Sequence, residues 1–245
     1  MRVLAFDTAT AACTVAVTAG EQVLSELTLQ VPRAHSTRLM PLIAQALQEA
    51  GIARQELDAI AVGVGPGSFT GLRIGLSTAK GLALALDRPV VPVSTLAAAA
   101  YGTGAQIGLV VPLFDAKRDQ VFTAVYAAGD RNPATWVEVL EPVNLHVDEL
   151  ADRLRSLRSG LHHTWQFVTL CGDAAEAHAE RLGLGPAVRV AAPGALLPRG
   201  SAVAALGLSL LERGGSVAPD ALAPVYLRKS EAESLWEKRR SPSAP

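Results

Sequence analysis

The chain opens on short apolar runs separated by turns. Val3 to Phe6, Thr14 to Val17 and Val23 to Leu29 are rich in aliphatic residues and too short for helices, so they predict a three-stranded meander. From Ser36 or Thr37, either able to cap a helix, the period changes. Leu39, Leu42, Ile43, Ala46, Leu47 and Ala50 then share one face at 3.6-residue spacing until Gly51 stops the run. Pro41 falls near the first turn, where a missing amide costs little. A buried strand at Ala59 to Val64, a glycine-rich turn, a long helix to about Leu86, a strand at Val90 to Val93 and a helix at Thr95 to Ala100 complete the unit.

A second unit begins near Ile107 and opens as the first does. An apolar strand ends on Asp115 as the first ends on Asp7, and a turn and a β-rich strand (QVFTAVY) follow. Two related α/β halves are expected: residues 1–104 as one lobe, and 105–200 as a smaller, less regular one. A C-terminal helical segment (about 201–228, its helix running from about Ser201 to Arg213) is expected to return to the first lobe, with 229–245 as a tail. Between Asn132 and Ala192 the pattern predicts only a helical stretch from Val147 to Leu157 and a strand at Phe167 to Cys171.

Composition narrows the function classes. With 245 residues the chain can bury a real core, and 49% hydrophobic content with a net charge of -1 excludes a disordered chain. That balance, with 4% aromatic residues, speaks against stand-alone nucleic-acid binding, which needs Lys and Arg against phosphates and rings under bases. Cys13 and Cys171 stand alone, as reduced thiols do in the cytoplasm. Pro89 to Phe114 carries no charge, but Pro92, Pro112, Gly102, Gly104 and Gly108 break it, so it reads as strand, helix, turn and strand rather than a membrane span.

The segment Gly63 to Gly71 (GVGPGSFTG) joins a strand to a helix, where backbone amides and the helix N-terminus can meet an anion. It is neither the P-loop nor the dinucleotide fingerprint, so spacing alone favours a plain tight strand-to-helix turn over anion binding. In the following helix Gly71, Gly75, Ala79 and Ala83 recur every fourth residue. Glycine there costs roughly 0.5–1 kcal/mol against alanine. The stripe suits either tight packing on the protein's own sheet or a face offered to a second subunit, with Leu39, Met40 and Ile43 as companions. Ser77 and Lys80 match S-x-x-K, but the companion motifs of that acyl-transfer class do not occur. His162 and His163 are adjacent and make a poor chelate, so no metal site is expected. Asp7 and Asp115 each end a strand, where a carboxylate can orient a hydrated metal or simply bond its own turn.

Taken together, LAFDTATAACTVAV, RAHSTRLMPLI, GVGPGSFTGLRIGLSTAKGLA, FDAKRDQVF and PVYLR resemble the bacterial TsaB (YeaZ) family, strongly over the first half. The resemblance implies an actin-like/Hsp70-like ATPase superfamily (ribonuclease H-like) fold, two lobes each with a mixed sheet. It implies a non-catalytic subunit that works with TsaD, the transferase, and TsaE, an ATPase, in placing threonylcarbamoyl-adenosine beside tRNA anticodons. tRNA is met only through the complex, and the isolated protein pairs with itself. The implied interface lies on two helices, about Ser36–Ala50 and Ser68–Leu86, with His35, Leu39, Met40, Ile43, Gly71, Ile74, Gly75, Thr78 and Ala79. A nucleotide in this frame meets Asp7, Thr8, Thr10, Gly65, Gly67 and Ser68. No cofactor is expected on the chain alone, and ATP or ADP is expected only at the interface of the complex. Thr95 and Ala99 fall where TsaD has its metal-binding histidines, and Ala9 stands where actin-like ATPases favour glycine. The readings from other classes are a peptidase or hydrolase of the M22-like superfamily, resting on Ser77 and Lys80, and a small-molecule kinase of the same fold, resting on Asp7.

Overall fold

β1 (Arg2–Asp7) alternates its side chains between two cores, as the period of a strand requires. Leu4 and Phe6 enter one core with α1 (His35–Ala50) and α2 (Phe69–Leu86). Val3 and Ala5 enter the other with α6 (Gly200–Glu212). Around β1 a five-stranded sheet runs in the order β3-β2-β1-β4-β5, built from β2 (Ala12–Ala19), β3 (Gln22–Gln30), β4 (Ala59–Gly63) and β5 (Val90–Val93). β1, β2 and β3 are antiparallel, while β4 and β5 continue parallel. The computed structural model describes residues 1–30, 35–128, 132–159 and 167–228, so His162, His163 and the expected tail at 229–245 lie outside the described residues.

The second sheet repeats this plan. β6 (Leu109–Asp115), β7 (Gln120–Ala127), β8 (Val137–His146), β9 (Val168–Cys171) and β10 (Val188–Val190) run in the order β10-β9-β6-β7-β8, with the same mixture of antiparallel and parallel pairs. β6 thus occupies the place of β1, and Asp115 that of Asp7. Two sheets of one topology, each flanked by helices, make the actin-like (ribonuclease H-like) architecture. α4 (Val147–Ser159) and the short α5 (Ala175–His178) cover the outer face of the second sheet. α3 (Thr95–Gly102) links the halves: Leu96, Ala99 and Ala100 pack on Val110, Phe114, Ala124 and Cys171 of the second sheet.

Two expectations are corrected. Asn132 to Ala192 is more regular than its pattern predicts, since it contains β8 and β10. β8 is an edge strand with Glu138, Glu141 and Pro142 in its middle and register shifts opposite Thr123 to Tyr126, so its alternation is blurred. The C-terminal segment is helical only to Glu212, and its remainder runs on to Arg228 without α-helix. The stretch Pro193–Glu212 is apolar enough to cross a membrane by length and composition alone, but α6 lies across β1, β2, β4 and β5. Its N-terminus is held from β3: the Glu26 carboxylate accepts from Ser201 N–H and Oγ–H (2.9 and 2.8 Å) and pairs with Arg199.

Candidate functional site

Asp7 is the centre of a buried hydrogen-bond hub, and it is 1% exposed. Its Oδ1 accepts from Ala9 N–H (2.7 Å) and its Oδ2 from Thr95 Oγ1–H (2.7 Å). Thr95 in turn accepts from Gly65 N–H (3.1 Å) and donates its own N–H to Gly65 O (2.9 Å). A β-carbon on Gly63 would overlap Asp7 Oδ2, so only glycine lets the carboxylate lie against β4. Burial pushes the Asp7 carboxyl up from 3.8 to about 6, against the lowering by Thr95, Ala9 and nearby His35.

Several amides of the glycine-rich turn are occupied in the same way. Gly65 N–H goes to Thr95, Ser68 N–H to Ala9 O (2.7 Å) and Gly71 N–H to the capping Ser68 Oγ (3.2 Å). These three amides hold the turn's own shape. Of the residues expected to meet a nucleotide, Asp7, Thr8 and Gly65 are sealed beneath neighbouring chain, and Thr8 Oγ1 donates to Gly71 O (2.8 Å). Thr10, Gly67 and Ser68 do line a cleft of about 640 Å³ between the two sheets, with Ile74, Phe114 and Asp115 among the other lining residues.

Asp115 differs from its counterpart by being exposed. Lys117 Nζ, with Lys117 N–H, holds its carboxyl below the usual carboxylate range, and its own N–H donates to Asp173 Oδ1 (2.9 Å). The strand-end aspartates thus do not face one another as a pair. One is locked inside, and the other is a surface residue at the rim of the cleft.

The small-residue stripe is corrected as well. Gly71, Gly75 and Ala79 are buried against the protein's own first sheet and turn: a β-carbon on Gly71 would overlap Thr8 O, and one on Gly75 would come within 2.5 Å of Thr8 Oγ1. His35, Leu39 and Ile43 face inward too, with His35 Nε2 3.0 Å from Thr10 O. Ile74 and Thr78 are half-buried, and of the expected interface residues Met40 is exposed. The outward faces of the same two helices carry other residues. α2 presents Thr70, Arg73, Ser77, Gly81 and Leu84 at helical spacing, and α1 presents Thr37, Met40, Pro41, Ala44 and Gln48. Met40 is 49% and Leu84 71% exposed, and no acidic residue occurs among these ten. Periodicity alone finds both stripes, and Leu72 and Leu76 beside the glycines mark that side as inward.

Ser77 is exposed, while Lys80 Nζ donates to Asp220 O (3.4 Å), and no hydrogen bond joins the two among the described residues. Thr95 and Ala99 are fully buried, and no cluster of three or more His, Cys, Asp or Glu side chains occurs among the described residues. Thr95 was readable in the sequence only as a missing ligand, and its role as partner of Asp7 depends on contact across 88 residues. Both cysteines are free and buried, and burial pushes the Cys13 thiol up to about 11.

The family model described as "TsaD: tRNA N6-adenosine threonylcarbamoyltransferase" matches residues 22–236. The chain is 35% identical to the tRNA threonylcarbamoyladenosine biosynthesis protein TsaB of Escherichia coli (strain K12), over 97% of this chain and 98% of that protein. It is 32% identical to the TsaB protein of Bacillus subtilis (strain 168), over 96% and 98% of the two chains. The solved structure of YeaZ from Pseudomonas aeruginosa superposes with a TM-score of 0.77 at 30% identity, covering 92% of this chain and 99% of that one. With sequence and fold matched over nearly the full length, the chain belongs to the TsaB (YeaZ) family.

Proposed function

We propose that this chain serves tRNA threonylcarbamoyladenosine biosynthesis as a non-catalytic partner subunit, binding and activating a TsaD transferase together with TsaE. The observation that carries this reading is the closed hub at Asp7. Where the resemblance places the metal-binding histidines of TsaD, this chain has the buried Thr95 and Ala99, and the nearby Asp7 carboxylate is taken up by Ala9 N–H and Thr95 Oγ1–H. Its outward surface on α1 and α2 has the chemistry of a protein interface, exposed Met40 and Leu84 among uncharged residues with Arg73 at one end.

In this reading the same surface pairs two copies in isolation and meets TsaD in the complex. A nucleotide, ATP or ADP, belongs to the interface of the complex, and tRNA contacts the assembly rather than this chain alone. The near-neutral charge and free thiols fit such a role in the cytoplasm. The test is reconstitution: TsaD, TsaE, threonylcarbamoyl-adenylate and tRNA give modified tRNA with this chain and lose that activity without it. Full activity in its absence would refute the proposal. Neither the peptidase nor the kinase alternative gains a specific observation, since Ser77 lacks a hydrogen bond to Lys80 and Asp7 is sealed.

A further inference from the structure

The partner reading leaves one motif without a role, the PVYLR segment at Pro224 to Arg228. Beyond α6 the chain binds the first lobe repeatedly. Val217 N–H donates to Val90 O (2.8 Å) at the edge of the first sheet, and Leu222 is buried in the core beneath α2. Val225 N–H then donates to Val64 O (2.8 Å). The Tyr226 ring stacks on Phe69 at the start of α2, centroids 4.9 Å apart, and the Arg73 guanidinium sits 4.0 Å over the same Phe69 ring. Two residues later the chain reaches the other lobe: Arg228 Nη1 donates to Ala116 O at 2.5 Å.

The turn that it grips is unusual. Lys117, Arg118 and Asp119 all have left-handed backbones (φ of 66°, 57° and 57°), which residues with a β-carbon adopt reluctantly and keep only when neighbours enforce it. Most of its anchors come from the second lobe: Ala116 N–H to Gln120 O, Gln120 N–H to Lys117 O, Lys117 N–H and Nζ to the Asp115 carboxylate, Val147 N–H to Asp119 O, and Arg181 against Asp119. Arg228 adds one from a segment fastened to the first lobe. The lobes are already packed at their base through α3, so this contact acts at the rim, next to Asp115 in the cleft wall.

We propose that residues 217–228 form a clasp across the cleft, fastened to α2 through Tyr226 and closed by Arg228 on Ala116 O, which sets how wide the cleft stands. The clasp is a property of the chain by itself and holds whichever partner binds. Its test uses the full-length protein with spin labels on Gln45→Cys in α1 and Asp152→Cys in α4. Both positions are exposed, whereas Cys13 and Cys171 are buried and resist labelling. Arg228→Ala is expected to lengthen and broaden the distance between the labels. It should also speed amide exchange in 116–120 roughly tenfold, the worth of one hydrogen bond from a charged donor. Tyr226→Ala, which leaves the turn itself intact, is expected to move the distance the same way, and Arg228→Lys to retain part of the closed distribution. Distance and exchange unchanged in folded Arg228→Ala would overturn the clasp, as would a loss of stability alone with the distance unmoved.

Discussion

Asp7→Asn tests the buried hub through its charge alone, because the amide is close to isosteric with the carboxylate. Burial raises the Asp7 carboxyl from 3.8 to about 6 in the folded chain, so between these values the native state binds a proton that the unfolded state has released. Stability therefore falls as pH rises through this window. A difference of about two pH units corresponds to roughly 3 kcal/mol between pH below 4 and pH above 6. The asparagine variant has no such proton. Its amide oxygen can still accept from Ala9 N–H, and the Thr95 hydroxyl can rotate to accept from its NH₂ group. Urea unfolding of both proteins at intervals from pH 4 to 7.5 isolates the effect, because every other titrating group is common to the two. The expected outcome is a difference curve that moves by 2–3 kcal/mol in favour of asparagine as pH rises, most steeply between 4 and 6. A flat difference curve would show that Asp7 titrates normally, and the sealed hub would then be wrong.

Other consequences are sharper in sign than in size. Gly75→Leu must displace Thr8 and is expected to cost about 3 kcal/mol or more in thermal or urea unfolding, so its effect is on folding. Glu26→Gln removes the charge at the N-terminus of α6 and is expected to cost about 1–2 kcal/mol at pH 7. Arg199 and Ser201 hold the Glu26 carboxyl below its ordinary 4.5, despite burial. That contribution is present above 4.5 and disappears as pH falls through the lowered value, so the mutant and parent unfolding curves should converge in acid. Ser77→Ala removes an exposed hydroxyl and is expected to change stability by less than about 0.5 kcal/mol and reconstituted activity not at all. A selective loss of activity would revive a nucleophilic role.

Much of the first lobe can be read from its residues, and the reasons are local. β1 has aliphatic residues on both faces, α1 has a clean 3.6-residue period, and a glycine-rich turn punctuates the passage from β4 to α2. The second lobe is harder because β8 is an edge strand with Glu138 and Glu141 exposed, and Glu141 and Pro142 fall where its pairing with β7 breaks register. At the site, residue identity was visible and direction was not. Gly71 and Gly75 signal a close approach, but nothing near them in sequence says that the approaching group is Thr8, more than sixty residues upstream. Asp7 was visible as a strand-end carboxylate, yet its burial depends on Gly63 and Thr95, which only the folded sheet brings to it.

The outer face of α1 and α2 is where the functional account is most exposed to refutation. Met40 and Leu84 protrude from it and contribute little to the core, so Met40→Asp with Leu84→Asp should leave the fold intact. The most direct measurement is the affinity of purified TsaD for the parent chain and for this double variant, by calorimetry. The account predicts tight binding by the parent and a loss of at least about a hundredfold in the variant, as expected when two apolar interface anchors become charged. Equal affinity of the two proteins for TsaD would place the partner elsewhere and contradict the account.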